Sequence, residues 1–332
     1  MSVQITIVGL GQIGSSIGLA LKAHGVNVHR VGHDKDPQAA KESQKAGAVD
    51  EVKYNLPASV REAKIVILAL PLAAVRETLE IIAPDLQEGT LVLDTAPAKA
   101  TVAAWAKELL PEGRFYIGLT PAINPEYLHG MEPGVKAARA DLFKRGLMAV
   151  NVPPRTPENS FDLAMEFVNL LGATPLLMDS VEADGLFSAM HVLPQLAAAA
   201  LLGTTVGRPG WQDARKLAGR PYATVTAGAA LHDDALSLGE SALENRENVV
   251  RLLNAYIASL ISLRDEIDAN DREAVKERLG EAFKGRTRWF DERFAAEWLR
   301  GETQQLDTPS FGERMNQTFF GGMLSDRQKH RK

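Results

Sequence analysis

The chain has 332 residues, enough for two domains and a sizeable core. Its composition is 45% apolar and 24% charged with a formal net charge of −5, which suits a globular protein and gives no electrostatic reason to bind nucleic acid or an anionic membrane. There is no cysteine, which excludes disulfides, thiolate nucleophiles and cysteine-ligated metals.

Ile5, Ile7 and Val8 form a β-branched run typical of a buried parallel strand, and Ile17, Leu19, Ala20 and Leu21 predict a helix packed on a sheet. Between them stands Gly9-Leu10-Gly11-Gln12-Ile13-Gly14, a full G-x-G-x-x-G. Gly9 makes the tight turn, Gly11 lets the backbone approach a pyrophosphate, and Gly14 lets the helix lie close to the strand. The free N–H groups and positive dipole end of the helix then face the phosphates. A second strand, Val26 to Gly32, leads to His33-Asp34. Asp34 lies 20 residues beyond Gly14, where the acidic partner of an adenosine ribose 2′-hydroxyl is expected. Glycine-rich turns alone are common, but strand, helix and acid together read as a dinucleotide site. The carboxylate favours NAD, while Lys35 and Arg30 leave NADP open.

Pro37 to Ala46 reads as a helix stopped by Gly47, and Val49 to Val52 as a short extended piece. Ile65 to Leu70 is a buried strand closed by Pro71, and Leu72 to Ile82 an amphipathic helix. Leu91 to Leu93 is the next strand and runs into Asp94-Thr95-Ala96-Pro97-Ala98-Lys99. A helix over Thr101 to Leu110, strands at Phe115 to Leu119 and Gly146 to Val152, a helix over Ser160 to Leu171 and a strand at Pro175 to Met178 complete the pattern. The alternation predicts an α/β fold with a Rossmann-type doubly wound parallel sheet over residues 1–179. Ligands of such sheets bind beyond the carboxyl ends of the strands. Leu70, Pro71, Asp94 and Thr95 therefore border the cofactor crevice with Gly9, Gly11, Gln12, Ile13, Gly14 and Asp34.

From residue 180 the strand signal fades. Val181 to Leu202 is apolar nearly all round, which implies burial against several partners, a second subunit among them. Ala218 to Leu238, Asn245 to Asp268 and Asp271 to Lys284 read as further helices, giving an all-helical domain over 180–305. The polar tail, 306–332, has a basic end and carries Phe311, Met315 and Phe319 at helical spacing, either as a partly disordered terminus or as a docking segment. The histidines show no metal-site spacing, so no metal is expected. With no basic-then-apolar leader and no uninterrupted apolar run read as long enough to span a bilayer, a cytoplasmic setting is the default.

The opening motif, Asp34, Leu68-Ala69-Leu70-Pro71, Asp94 to Lys99, Gly118 to Pro121 and His191-Val192-Leu193-Pro194 occur in the order seen in prephenate and arogenate dehydrogenases. The chain resembles that family over roughly its first 250 residues. The resemblance implies a Rossmann domain, a helical dimerisation domain that makes a homodimer, and an active site in the cleft between them. It also implies NAD or NADP chemistry on a small carboxylate on the way to tyrosine. Hydride leaves the carbon bearing a ring hydroxyl, and the ring carboxylate leaves as carbon dioxide.

Several positions depart from the family pattern. Thr120 stands where its hydroxyl-contacting histidine would be, and Pro97 where it has serine in Asp-x-x-Ser-Val-Lys. The Ser-His-Leu-Pro-His run appears as Met190-His191-Val192-Leu193-Pro194-Gln195, which keeps the first histidine and loses the second. The substrate-carboxylate arginine falls at Val225, with Arg220 nearby in sequence. Oxidising a hydroxyl needs a base or hydrogen-bond acceptor as the C–O bond gains carbonyl character, and Thr120 is no base near neutral pH. The catalytic candidates are His191, Thr120, Lys99 and Asn124; Gln195 and Arg220 are candidates for binding substrate. Three readings are open: a divergent prephenate dehydrogenase, a relative acting on another small hydroxy acid or imine, and a dinucleotide-binding protein without catalysis.

Overall fold

A computed structural model describes residues 2–130, 132–230 and 235–296. The tail assigned to 306–332 lies outside them. The chain forms two compact units, the first built on Met1–Ser180 and rejoined at Arg293, the second Val181–Glu292.

The first unit is an eight-stranded sheet of order β3-β2-β1-β4-β5-β6-β7-β8. Its strands are β1 (Val3–Val8), β2 (Val28–His33), β3 (Glu51–Val52), β4 (Ala63–Leu68), β5 (Leu91–Asp94), β6 (Phe115–Pro121), β7 (Leu147–Asn151) and β8 (Thr174–Leu177). Successive side chains alternate between two cores. Ile5, Ile7, Ile65, Ile67, Leu93 and Ile117 face one layer, packed by Ile17 and Leu21 of α1 (Gln12–Ala23) and Phe167 of α6 (Glu158–Leu170). Val8, Val66, Leu68, Val92 and Tyr116 face the other, packed by Val75 and Leu79 of α4 (Leu72–Ile82) and Val102 of α5 (Lys99–Leu109). Helices α2 (Pro37–Ala46) and α3 (Leu56–Val60) complete this unit, and α3 has no counterpart in the sequence reading.

The doubly wound sheet is present, with one correction: β7 runs antiparallel to β6, pairing Gly118 with Asn151 and Pro121 with Met148. A parallel neighbour requires a crossover, usually helical. Among its described residues the segment between these strands holds 3₁₀ turns at Pro125–Tyr127 and Gly134–Ala137 and no longer helix, and it closes on itself through Ala122 N–H to Leu147 O at 2.8 Å and Asn124 N–H to Leu142 O at 2.6 Å.

The second unit is helical. Helix α7 (Ser180–Phe187) passes through a π turn (Ser188–Val192) into α8 (Leu193–Thr205). There follow α9 (Trp211–Leu217), α10 (Arg220–Thr226), α11 (Ala235–Glu244), α12 (Arg246–Asp268) and α13 (Arg272–Ala295). The single helix predicted over 218–238 is broken, because Gly219 starts α10 late and Ala227–Ala230 tightens into a 3₁₀ turn. Gly228 brings that turn close to α8, where a Cβ would stand 3.5 Å from Ala198 Cβ. A second correction concerns Ser180–Thr205: by length and composition this one continuous helix is apolar enough to cross a membrane, a test that core helices of soluble proteins also pass.

Candidate active site

The glycine loop has the geometry its sequence requires. Gly9 sits at φ +92°, and a Cβ there would lie 2.3 Å from the Ala69 carbonyl oxygen, so the turn admits only glycine. At Gly14 a Cβ would meet the Gly9 carbonyl oxygen at 1.9 Å, which is what lets α1 lie against β1. Gly11 differs from both. Its φ of −76° suits any residue, and nothing of the chain lies within 4 Å of where its Cβ would be. No side chain caps α1 at Gly11 and no acid stands in its first turn, so the Gln12 and Ile13 backbone meets that space with N–H groups and the positive dipole end. A pyrophosphate fits this corner by shape and by charge.

Asp34 follows the end of β2 and binds the loop directly. Its Oδ2 accepts the Leu10 N–H at 2.7 Å and its Oδ1 the Asp36 N–H at 2.8 Å. Each oxygen keeps a lone pair for a ribose hydroxyl. Arg30 gives no support to NADP. It is buried, paired with Asp50 and donating to the Gly18 and Gly47 carbonyls at 2.9 and 3.1 Å. That contact acts on Asp50 in return: burial works to raise its pKa, and the Arg30 hydrogen bonds outweigh it and hold the carboxyl below its ordinary value. Leu70 packs beside Gly9, Pro71 precedes α4, and the Thr95 N–H donates to the Leu68 carbonyl at 3.0 Å. All of them lie past the carboxyl ends of β1, β4 and β5.

Two catalytic candidates are corrected. Lys99 does not open into the crevice. It is 1% exposed, with Nζ 2.9 Å from Asp94 Oδ1, while the Tyr116 hydroxyl donates to Asp94 Oδ2 at 2.5 Å. Asp94 is itself fully buried and also accepts the Ala96 N–H at 2.8 Å. Gly118 leaves room for this knot, since a Cβ there would stand 2.9 Å from both Lys99 Cδ and the Tyr116 hydroxyl. Asn124 is likewise consumed by structure. It is buried, its Oδ1 accepts the Glu126 N–H at 3.1 Å, and its Nδ2 donates to the Asp141 carbonyl at 3.3 Å, which caps the 3₁₀ turn. Thr120 is half-buried, two residues beyond Gly118 on the same face of β6, paired across to Ala149.

His191 and Gln195 lie one turn apart in the second unit. The His191 ring stacks on Phe187, centroids 4.4 Å apart and 17° from parallel. The residue keeps solvent-exposed surface, yet the protein crowding the ring desolvates it and lowers its pKa from the ordinary 6.5, favouring the neutral imidazole. Pro194 brings no N–H to the helix ladder, and separately the Gln195 Nε2 donates to the His191 carbonyl at 2.7 Å. Arg220 is exposed at the start of α10. Tyr116 and Phe187 read from the sequence as strand and helix residues and not as site candidates. Tyr116 was legible in retrospect, two residues before Gly118 on an alternating strand; the Phe187–His191 spacing of four was its own signal. Among the described residues no group of three or more His, Asp and Glu is placed to hold a metal ion.

Comparison with known proteins agrees with this geometry. Residues 17–177 match the family model described as prephenate dehydrogenase, nucleotide-binding domain. The chain is 25% identical to a cyclohexadienyl dehydrogenase of Zymomonas mobilis, over 85% of this chain and 94% of that protein. It is 24% identical to a prephenate dehydrogenase of Bacillus subtilis, over 81% and 71% of the two. The crystal structure of prephenate dehydrogenase from Aquifex aeolicus, with hydroxyphenyl propionate and NAD⁺ bound, shares the fold at a TM-score of 0.75 and 23% identity, covering 87% of this chain and 98% of that one. An intact glycine loop stands just ahead of residues 17–177, and those residues are similar to the nucleotide-binding domain of prephenate dehydrogenases.

Proposed function

We propose that this protein is an NAD-dependent dehydrogenase that oxidises prephenate or arogenate at the carbon bearing the ring hydroxyl, with loss of the ring carboxylate as carbon dioxide, on the way to tyrosine. The observation that carries the reading is the corner at Gly11, where an uncapped helix N-terminus and an anchored Asp34 border open space. NAD, when bound there, supplies the hydride acceptor. The backbone at Gly11, Gln12 and Ile13 holds the pyrophosphate, and Asp34 accepts from the ribose hydroxyls. Thr120 offers a hydroxyl to orient substrate. His191, favoured as the neutral imidazole, is the second unit's candidate to take the hydroxyl proton as the C–O bond becomes a carbonyl. When the carboxylate leaves, its bonding pair makes the ring aromatic, and the proton returns to the phenolic oxygen.

The second unit supports a homodimer. Met190, Val250, Ile257, Ile261, Leu279 and Phe283 are all exposed within it, and covering them with a second copy would remove apolar surface from water. A second copy covering these faces also accounts for the apolar helix Ser180–Thr205 without a membrane, and we place the protein in the cytoplasm on that reading. Following NADH formation with prephenate and with arogenate tests the function. Turnover of at least one is expected; tight NAD binding with turnover of neither would leave a dinucleotide-binding protein.

A further inference from the structure

The turn from Asp94 to Lys99 is fixed more tightly than a link between a strand and a helix requires. One carboxylate holds both of its ends. Asp94 Oδ1 accepts the Ala96 N–H at 2.8 Å and lies 2.9 Å from Lys99 Nζ, and Nζ also donates to the Asp94 carbonyl at 3.1 Å. The Tyr116 hydroxyl, from β6, holds the other carboxylate oxygen. Ala98, 3% exposed, sits at φ +61°, left-handed backbone that an alanine adopts where its surroundings impose it. The peptide between Thr95 and Ala96 is fixed by the same contacts. It is planar and trans, so with the Ala96 N–H turned to the carboxylate the Thr95 carbonyl points the opposite way. Ala96 and Ala98 are buried, and Thr95 and Pro97, which alternate with them, are half-buried.

The position of the turn gives this rigidity a use. Backbone bonds join the strand ends in a row: Gly9 N–H to the His33 carbonyl at 2.9 Å, Ala69 N–H to the Val8 carbonyl at 2.8 Å and Thr95 N–H to the Leu68 carbonyl at 3.0 Å. The row follows the sheet order β2-β1-β4-β5. With an adenosine ribose at Asp34 beyond β2 and a pyrophosphate at Gly11 beyond β1, the other half of a dinucleotide continues over β4 and β5, onto this turn. Resting on the NAD reading above, we propose that Asp94 is a positioning residue for the nicotinamide half of NAD. Its carboxylate, aligned by Lys99 and Tyr116, sets the Thr95–Ala96 peptide and with it the surface that the turn offers to that half. The carboxylate is fully buried and acts through the turn, without touching the cofactor. A surface ordered before the ligand arrives loses no conformational freedom on binding, which favours both affinity and orientation.

The test titrates the full-length protein with NAD and with ADP-ribose, which carries the same adenosine and pyrophosphate but no nicotinamide. The native protein is expected to bind NAD about tenfold more tightly than ADP-ribose. Asp94→Leu with Lys99→Met removes both charges together, so neither is left buried alone, and takes the side-chain acceptor from the Ala96 N–H. In that variant NAD affinity should fall about tenfold while ADP-ribose affinity holds within about twofold. Asp94→Asn with Lys99→Met returns a side-chain oxygen to Ala96 and should recover most of the NAD affinity. Thermal melts check the folding of each variant, and the native comparison stands whether or not they fold. A native protein that binds ADP-ribose as tightly as NAD overturns the proposal without any variant and leaves the NAD reading standing. A folded Leu–Met variant that keeps its preference for NAD, or loses both ligands in proportion, also overturns it, since the knot would then serve stability alone. Binding of neither ligand by the native protein sinks both readings.

Discussion

Strand β4 and helix α12 show how differently the two units meet water. In β4 every residue except Lys64 is buried, and both faces of the strand are covered by helices of the same chain. In α12, 23 residues long, Val249 alone is buried, and Val250, Ile257, Leu260 and Ile261 face outward. The first unit closes its own core and presents a polar, strained loop at one edge. The second exposes the apolar area whose burial would stabilise it, so its stability is tied to whatever covers that area. Removing the cover is therefore the strongest way to separate the two.

The double substitution Ile257→Asp with Ile261→Asp should do so. In a two-fold interface each change counts twice, and each buried aliphatic side chain is worth about 1.5–3 kcal/mol, so four of them amount to about 6 kcal/mol or more. On the proposed homodimer, sedimentation should show a dimer for the native protein and monomers for the variant at the same concentration, and the helical unit of the variant should melt earlier. NAD affinity should hold within about twofold, because the loop draws its geometry from the first unit. A variant that stays dimeric would move the interface away from α12.

Within the first unit the largest loss is expected at Lys99. Lys99→Met takes the ion-pair partner from the buried Asp94, leaving the Tyr116 hydroxyl as a weaker one, at a cost of about 3–5 kcal/mol in a denaturant titration. Adding Asp94→Asn should recover much of it. A cost below about 1 kcal/mol would mean that the ammonium is not committed to the knot, and a role in the crevice would reopen.

Glycines of one motif sharpen the contrast between holding the fold and holding the cofactor. Gly14→Ala drives a methyl into the Gly9 carbonyl and should destabilise by about 1–3 kcal/mol. Gly11→Ala meets nothing of the protein and should leave the melting temperature within about 2 °C, yet raise the NAD dissociation constant about tenfold, roughly 1.4 kcal/mol. Equal effects on melting would deny Gly11 its separate task.

The sequence made one unit far easier to read than the other, for physical reasons visible at single residues. Buried parallel strands need continuous β-branched runs and the turn after β1 needs glycine, so Ile5 to Gly14 and Asp34 were legible from local chemistry. Lys99 was not, because a lysine after a strand end ordinarily reaches water, and its actual partners, Asp94 and Tyr116, come together only through the pairing of β5 with β6. Asn124 hid a cap behind a substrate-like amide for the same reason. The reversed β7 left no local mark, since strand patterning carries no direction. In the helical unit an apolar side chain reads alike whether its own chain or a second copy covers it.

The smallest expected effect concerns the one titrating group in that second unit that the proposed chemistry uses. Crowding lowers the His191 pKa below 6.5, so the folded state holds the imidazole neutral where the unfolded chain has begun to protonate it. The unfolded state then binds more protons, and stability must fall as pH drops through 6.5, with no contribution above it. The solvent exposure of the residue keeps this slope shallow. The same shift places the acid limb of kcat/KM below pH 6.5 if His191 takes the proton. Melting curves and pH–rate profiles of the native protein and His191→Gln separate the two consequences. Loss of the shallow stability slope with an unmoved acid limb would make His191 a structural stack on Phe187 and send the search for the base elsewhere. Loss of both would make His191 the group that takes the proton.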